Sequence, residues 1–162
     1  MKPQRRALPP AVAHLILVRS QSHIPVDAPT FLRNYEALLD HFGYWPSFHD
    51  AKVISYAGPT AERQTVDLTL HTWEMTSEVD AKGYFVLRKH ALVALRFTGV
   101  HGASLERFDA GNILFRMDIT RAGDVDSFHV ELDSVMDMSG DFSATSGEIL
   151  SVIPCTSDAQ AI

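Results

Sequence analysis

Between residues 31 and 42 the apolar side chains recur with a helical period. Phe31, Tyr35, Leu38, Leu39 and Phe42 fall on one face of a helix, and Arg33, Asn34, Glu36, Asp40 and His41 occupy the rest. Asp27 or Thr30 can cap its start, with Pro29 in or near the first turn. Gly43 supplies the left-handed residue that stops it. This predicts one N-terminal amphipathic helix.

After Gly43 the period changes to two. Ala51 and Val53 alternate with Lys52 and Ile54 until Gly58-Pro59 ends the run. Val66, Leu68, Leu70 and Thr72 share a strand face opposite Asp67, Thr69, His71 and Trp73. A turn-prone stretch, Thr76 to Gly83, precedes a short strand at Tyr84 to Leu87 and a stronger one at Ala91 to Phe97. Ile113, Phe115, Met117 and Ile119 alternate within Asn112 to Thr120; Phe128, Val130 and Leu132 alternate with His129, Glu131 and Asp133. Ile149 to Cys155 reads as a last strand. With no crossover helices between strands, a parallel doubly wound sheet is disfavoured. The expected fold is α+β: a mainly antiparallel, strongly curved sheet or two-layer sandwich of six to eight strands, with the helix packed on it. Residues 1–26 read as an N-terminal extension, 27–155 as a single domain and 156–162 as a flexible tail.

The chain has 162 residues, 46% of them hydrophobic and 21% charged, enough apolar material for a core in one domain. Twenty acidic against 14 basic residues give a net charge of −6, which argues against nucleic acid as a partner. One cysteine, Cys155, excludes an internal disulfide, and its apolar surroundings predict a buried structural thiol. Lys2, Arg5 and Arg6 precede the apolar run Ala11 to Val18, a signal-like arrangement. That run is too short to span a bilayer, and residues 19–26 offer no small-x-small cleavage site. The expectation is a cytoplasmic protein that does not act at a membrane, with Val12 to Val18 available as a strand or as a homodimer contact.

Candidate chemistry concentrates in Tyr44-Trp45-Pro46-Ser47-Phe48-His49-Asp50-Ala51, where helix must turn into sheet. Pro46 forces Trp45 to be extended. In a strand, His49 and Asp50 would point to opposite sides and could not serve one reacting atom. The stretch is therefore either a structural corner or a surface for recognition. His71-Thr72-Trp73-Glu74 is a second cluster, with His71 and Trp73 on one strand face. His129, Glu131 and Asp133 share another. A metal-dependent hydrolase could draw on His49, His71 and His129 with Asp50 or Glu131. No Gly-x-Ser-x-Gly elbow, phosphate loop or dinucleotide fingerprint is present.

The runs Asn34 to Leu38 and Phe42 to Val53, with the string Trp45-Pro46-Ser47-Phe48-His49-Asp50-Ala51 at their centre, resemble the start of the bacterial immunity protein 50 family. The likeness continues more loosely through His71-Thr72-Trp73-Glu74, Leu95 to Val100 and Asn112 to Leu114, covering residues 31–153; Lys52 stands where an acidic residue is expected. The resemblance implies a non-enzymatic protein that binds and neutralises a cognate toxin of a polymorphic toxin system, without a cofactor. Trp45, Phe48, His49, Asp50, Trp73 and Glu74 are then the expected contact residues. A small metal-dependent hydrolase and a self-associating structural domain are the alternatives.

Overall fold

The computed structural model describes residues 28–121 and 126–162. The expected extension and the Asp27 cap lie outside them. Helix α1 (Glu36–Phe42) is followed by β1 (Lys52–Ala57), β2 (Thr65–Val79), β3 (Phe85–Thr98), β4 (His101–Ser104), β5 (Leu114–Thr120), β6 (Phe128–Ser134), β7 (Gly140–Ala144) and β8 (Ser146–Pro154). The strands form two four-stranded sheets, β1-β2-β3-β8 and β4-β7-β6-β5, with antiparallel pairing throughout. Mainly antiparallel structure and eight strands agree with the sequence pattern. Of the two arrangements the pattern leaves open, the strands form two separate sheets and not one strongly curved sheet.

The sheets share one core. Val66, Leu68 and Leu70 of β2, with Val93, Leu95 and Phe97 of β3, are buried from the first sheet; Leu114, Val130, Leu132 and Phe142 are buried from the second. Phe97 joins the layers, its ring 5.2 Å from Phe142 and 6.2 Å from Phe128. At Gly147 a Cβ would meet Leu32 Cδ2 at 2.6 Å and the Phe97 and Phe128 rings at 3.1 Å, so only glycine lets the backbone approach so closely. Cys155 is buried, as its surroundings predict, and burial pushes its thiol pKa up.

The helix is shorter than its apolar period suggests: seven residues, with Leu38 and Phe42 buried. Asn34 has φ 60°, a left-handed conformation that no helix can pass through. The preceding segment serves the sheet instead. The Arg33 amide donates to the Gly147 carbonyl (2.9 Å), the Ile149 amide donates to the Arg33 carbonyl (3.0 Å), and Asn34 Nδ2 donates to the Ile149 carbonyl (2.9 Å). These bonds cover the open edge of β8, an edge that would otherwise invite pairing with another chain. Gly43 stops the helix as expected, with φ 86° and its amide on the Leu39 carbonyl at 2.7 Å.

Three further differences from the pattern have local causes. The two strands expected at residues 84–97 are one, β3, whose left-handed Lys89 (φ 51°) sits opposite a register shift between Thr72 and Glu74. Strands β4 and β7 carry too few alternating apolar residues to be read beforehand. The segment after Cys155, expected as a flexible tail, folds back: the Thr156 amide donates to the Gln160 carbonyl and the Ile162 amide to that of Pro154 (2.9 and 3.2 Å).

Candidate functional site: the helix-to-sheet corner and the root of β2

The corner after Gly43 is held chiefly by main-chain bonds to the second sheet. The Asp50 amide donates to the Leu114 carbonyl and the Leu114 amide to that of Ala51, both at 2.9 Å; the Met117 amide donates to the Ser47 carbonyl at 3.2 Å. Phe48 is 1% exposed and packs edge-on against Trp45, with ring centroids 6.0 Å apart. These anchors hold Phe48 at φ 58° and Asp50 at φ 62°, a region that a bulky aromatic rarely enters. Strain of roughly 1–3 kcal/mol per such residue persists only where the surroundings over-determine it.

The turn reverses the expectation for His49 and Asp50. The two residues precede β1, so strand alternation does not separate them, and His49 Nδ1 lies 3.0 Å from Asp50 Oδ2. With Nδ1 committed to the carboxylate, Nε2 is the nitrogen left for a partner. The His49 ring sits 5.2 Å from Phe115, and both members of the pair are well exposed.

Beside this pair opens a cleft of about 260 Å³ lined by Tyr44, Ser47, Phe48, His49, Thr72, Trp73 and Met75. It brings the corner together with the second sequence cluster. Trp73 stands against His71 and His90, with ring centroids 5.1 and 5.7 Å away. Burial and the negative charge of Glu74 both raise the Tyr44 phenol pKa. Glu74 is itself 3.4 Å from Lys89 Nζ, which donates to the Phe42 carbonyl at 2.8 Å and so ties the end of α1 to β3.

The six expected contact residues thus divide. His49 and Trp73 line the cleft, Asp50 orients His49, and Glu74 flanks Tyr44. Phe48 is buried and forms the floor, so it is a support and not an exposed contact. Trp45 faces a neighbouring groove of about 430 Å³ with Pro46, Ser47, Met117, Asp118, Ile119 and Thr120. Sequence reasoning missed Met75 and His90 as neighbours of this region: Met75 lines the cleft, and the His90 ring lies 5.7 Å from that of Trp73.

The histidine trio of the hydrolase alternative is not assembled. His49 pairs with Asp50, His71 Nε2 lies 3.2 Å from His90 Nδ1, and His129 lies 3.4 Å from Asp141. His71 is buried at 2% exposure, and desolvation, the nearby His90 and Lys52 lower its pKa against an opposing pull from Asp158; desolvation lowers that of His90. Among the described residues, no group of three or more His, Cys, Asp or Glu side chains is arranged to hold a metal ion. His129, Glu131 and Asp133 do share a face, where they line a shallow depression with Asp141. Arg116 binds Asp133 and Asp118 there, at 2.7 and 3.2 Å.

Compared with known proteins, the chain matches no family model, no curated protein and no solved structure. Among the described residues no helix is long and apolar enough to cross a membrane.

Proposed function

We propose that this protein is a non-catalytic immunity protein that binds and neutralises a cognate protein toxin in the bacterial cytoplasm. One observation carries the reading. The string that bears the family resemblance and the separate Trp73-Glu74 cluster meet at a single cleft walled by Tyr44, His49, Trp73 and Met75. An aromatic recess beside oriented polar groups is the arrangement that anchors protein partners, because large side chains with few rotamers bind at low entropic cost. The carboxylates of Asp50 and Glu74 flank it, and the chain's net charge of −6 would speed encounter with a basic toxin. Binding of this kind requires no cofactor.

The test is co-expression with the toxins encoded beside the gene. Protection of the cells and a complex that survives purification are expected with one of them. Absence of both with every neighbouring toxin rejects the reading. Trp73→Ala and His49→Ala, each with an unchanged circular dichroism spectrum, should abolish protection. A chain whose protection survives both variants binds elsewhere.

A further inference from the structure

Most histidines among the described residues turn a ring nitrogen to a carboxylate or a main-chain carbonyl: His49 to Asp50, His129 to Asp141, His41 to the Lys89 carbonyl and His101 to that of Gly99. His71 and His90 turn theirs to each other. His71 Nε2 and His90 Nδ1 lie 3.2 Å apart, with ring centroids at 5.3 Å. The contact crosses from β2 to β3 where the ladder is broken: one residue separates Thr72 from Glu74, and two separate their partners Ala91 and Arg88.

Both residues are held in place before any ligand arrives. His71 is buried, and the partly buried His90 is fixed through its carbonyl, which accepts from the Cys155 amide at 2.9 Å. A neutral pair makes one hydrogen bond here, one ring donating and the other accepting. The same two nitrogens also suit a cation. With Zn–N distances of about 2.0–2.1 Å, the ligands of a tetrahedral ion stand about 3.3 Å apart. The rings therefore need almost no movement to bind one. The donating ring shifts its proton to its other nitrogen, so both lone pairs reach the metal and no proton is lost.

The surroundings keep both imidazoles available as ligands. Burial, the neighbouring His90 and Lys52 hold His71 below its ordinary pKa against an opposing pull from Asp158, and burial does the same to His90. At neutral pH their lone pairs are thus not blocked by protons. The negative charge of Asp158, on the segment that folds back after Cys155, acts on His71 and offsets part of a cation's charge, which Lys52 opposes. Imidazole ligands favour zinc, copper or nickel over magnesium or calcium. Two protein nitrogens are half of a tetrahedral shell, and water fills the rest.

We propose that His71 and His90 form a two-histidine site for a divalent transition metal, which clamps β2 to β3 beside the break in their ladder. With only two protein ligands the site binds less tightly than a closed structural one, so its occupancy follows the metal concentration. The proposal goes beyond the toxin-binding reading, does not depend on it, and uses none of the side chains that line the cleft.

Calorimetric titration of the untagged full chain with zinc chloride at neutral pH should show one site per chain. His90→Gln, at the less buried position and with an unchanged circular dichroism spectrum, should weaken it by at least about tenfold. Saturating zinc should raise the thermal midpoint of the wild type by about 5 °C and leave that of His90→Gln where it was. Copper(II) gives a second readout: in a Trp45→Phe background it should quench Trp73, whose ring lies 5.1 Å from that of His71, and His90→Gln should abolish the quenching. His49→Gln and His129→Gln, at the exposed pairs, should bind zinc as the wild type does. No binding up to millimolar zinc, or binding unchanged in His90→Gln, would overturn the proposal and leave the 3.2 Å contact as a hydrogen bond between neutral rings. Binding lost in His49→Gln or His129→Gln would overturn it too, by placing the metal on an exposed histidine.

Discussion

The corner after α1 and the β2–β3 ribbon meet at the same cleft, yet they are built on opposite principles. The corner is short, irregular and over-determined: Phe48 is buried, main-chain bonds reach it from Leu114 and Met117, and two left-handed residues are held in place. The ribbon, residues 73–89 of β2 and β3, is continuous strand on either side of its turn but unsupported, with register shifts at Thr72/Glu74 and Met75/Val79 and apolar side chains facing solvent. Belonging to a strand is therefore no measure of local rigidity here. Packing and anchorage decide it, and the cleft combines a fixed wall with an adaptable one.

The sharpest way to break this contrast is truncation of one phenylalanine on each side. Phe48→Ala should lower the unfolding free energy by about 3–5 kcal/mol, because it empties the floor of the corner. Phe85→Ala should change it by less than about 0.5 kcal/mol, as expected for a side chain with no buried neighbours to lose. Urea denaturation of both variants checks this, and equal losses would erase the distinction.

A smaller effect should come from Asn112, a fully buried residue in the loop against which the corner rests. Its Nδ2 donates to the Met138 carbonyl at 3.2 Å, and its Oδ1 accepts from the Ile113 amide at 3.1 Å and from Ser134 Oγ at 2.5 Å. Asn112→Ala should cost about 1–3 kcal/mol by leaving those buried groups unpaired. Asn112→Asp, which removes the amide donor to Met138, should be destabilising as well.

Acidity should act mainly at the root of the ribbon. His71 and His90 have folded-state pKa values below the ordinary 6.5, so near and below that pH the unfolded chain binds more protons than the folded one. Stability is fully present above about pH 6.5 and falls as pH drops towards the folded-state values. His71→Gln measured against wild type between pH 7 and pH 5 should flatten the fall. The same fall in both proteins would place its origin elsewhere.

A small effect on stability belongs to the exposed His49–Asp50 pair. Asp50→Asn should change the unfolding free energy by no more than about 1 kcal/mol, since solvent screens a contact so exposed. Its consequence should appear in toxin binding, because His49 loses the carboxylate that orients its ring.

Much of the fold is legible in the sequence because period-two runs such as Val66, Leu68, Leu70 directly report a half-buried strand, and Gly43 reports a helix stop. The helix start was not legible: Asn34 adopts φ 60° because the segment before it bonds to β8, more than a hundred residues away. Strand β7, Gly140–Ala144, was missed because its apolar alternation is confined to Phe142 and Ala144. The His49–Asp50 contact was hidden for a similar reason. Its geometry depends on positive φ angles imposed by Leu114 and Met117, and nothing within Trp45 to Ala51 specifies them. Residue types at the cleft could be read; their convergence could not.

The central claim is that the corner and the root of β2 form one toxin-binding surface. Calorimetric titration of the co-expression partner with wild type, Trp73→Ala from the β2 side and His49→Ala from the corner side tests it most directly. Both single variants should weaken binding by at least about tenfold, and the double variant should lose less than the sum of the two. Binding unchanged in either variant, with the fold intact, would contradict it.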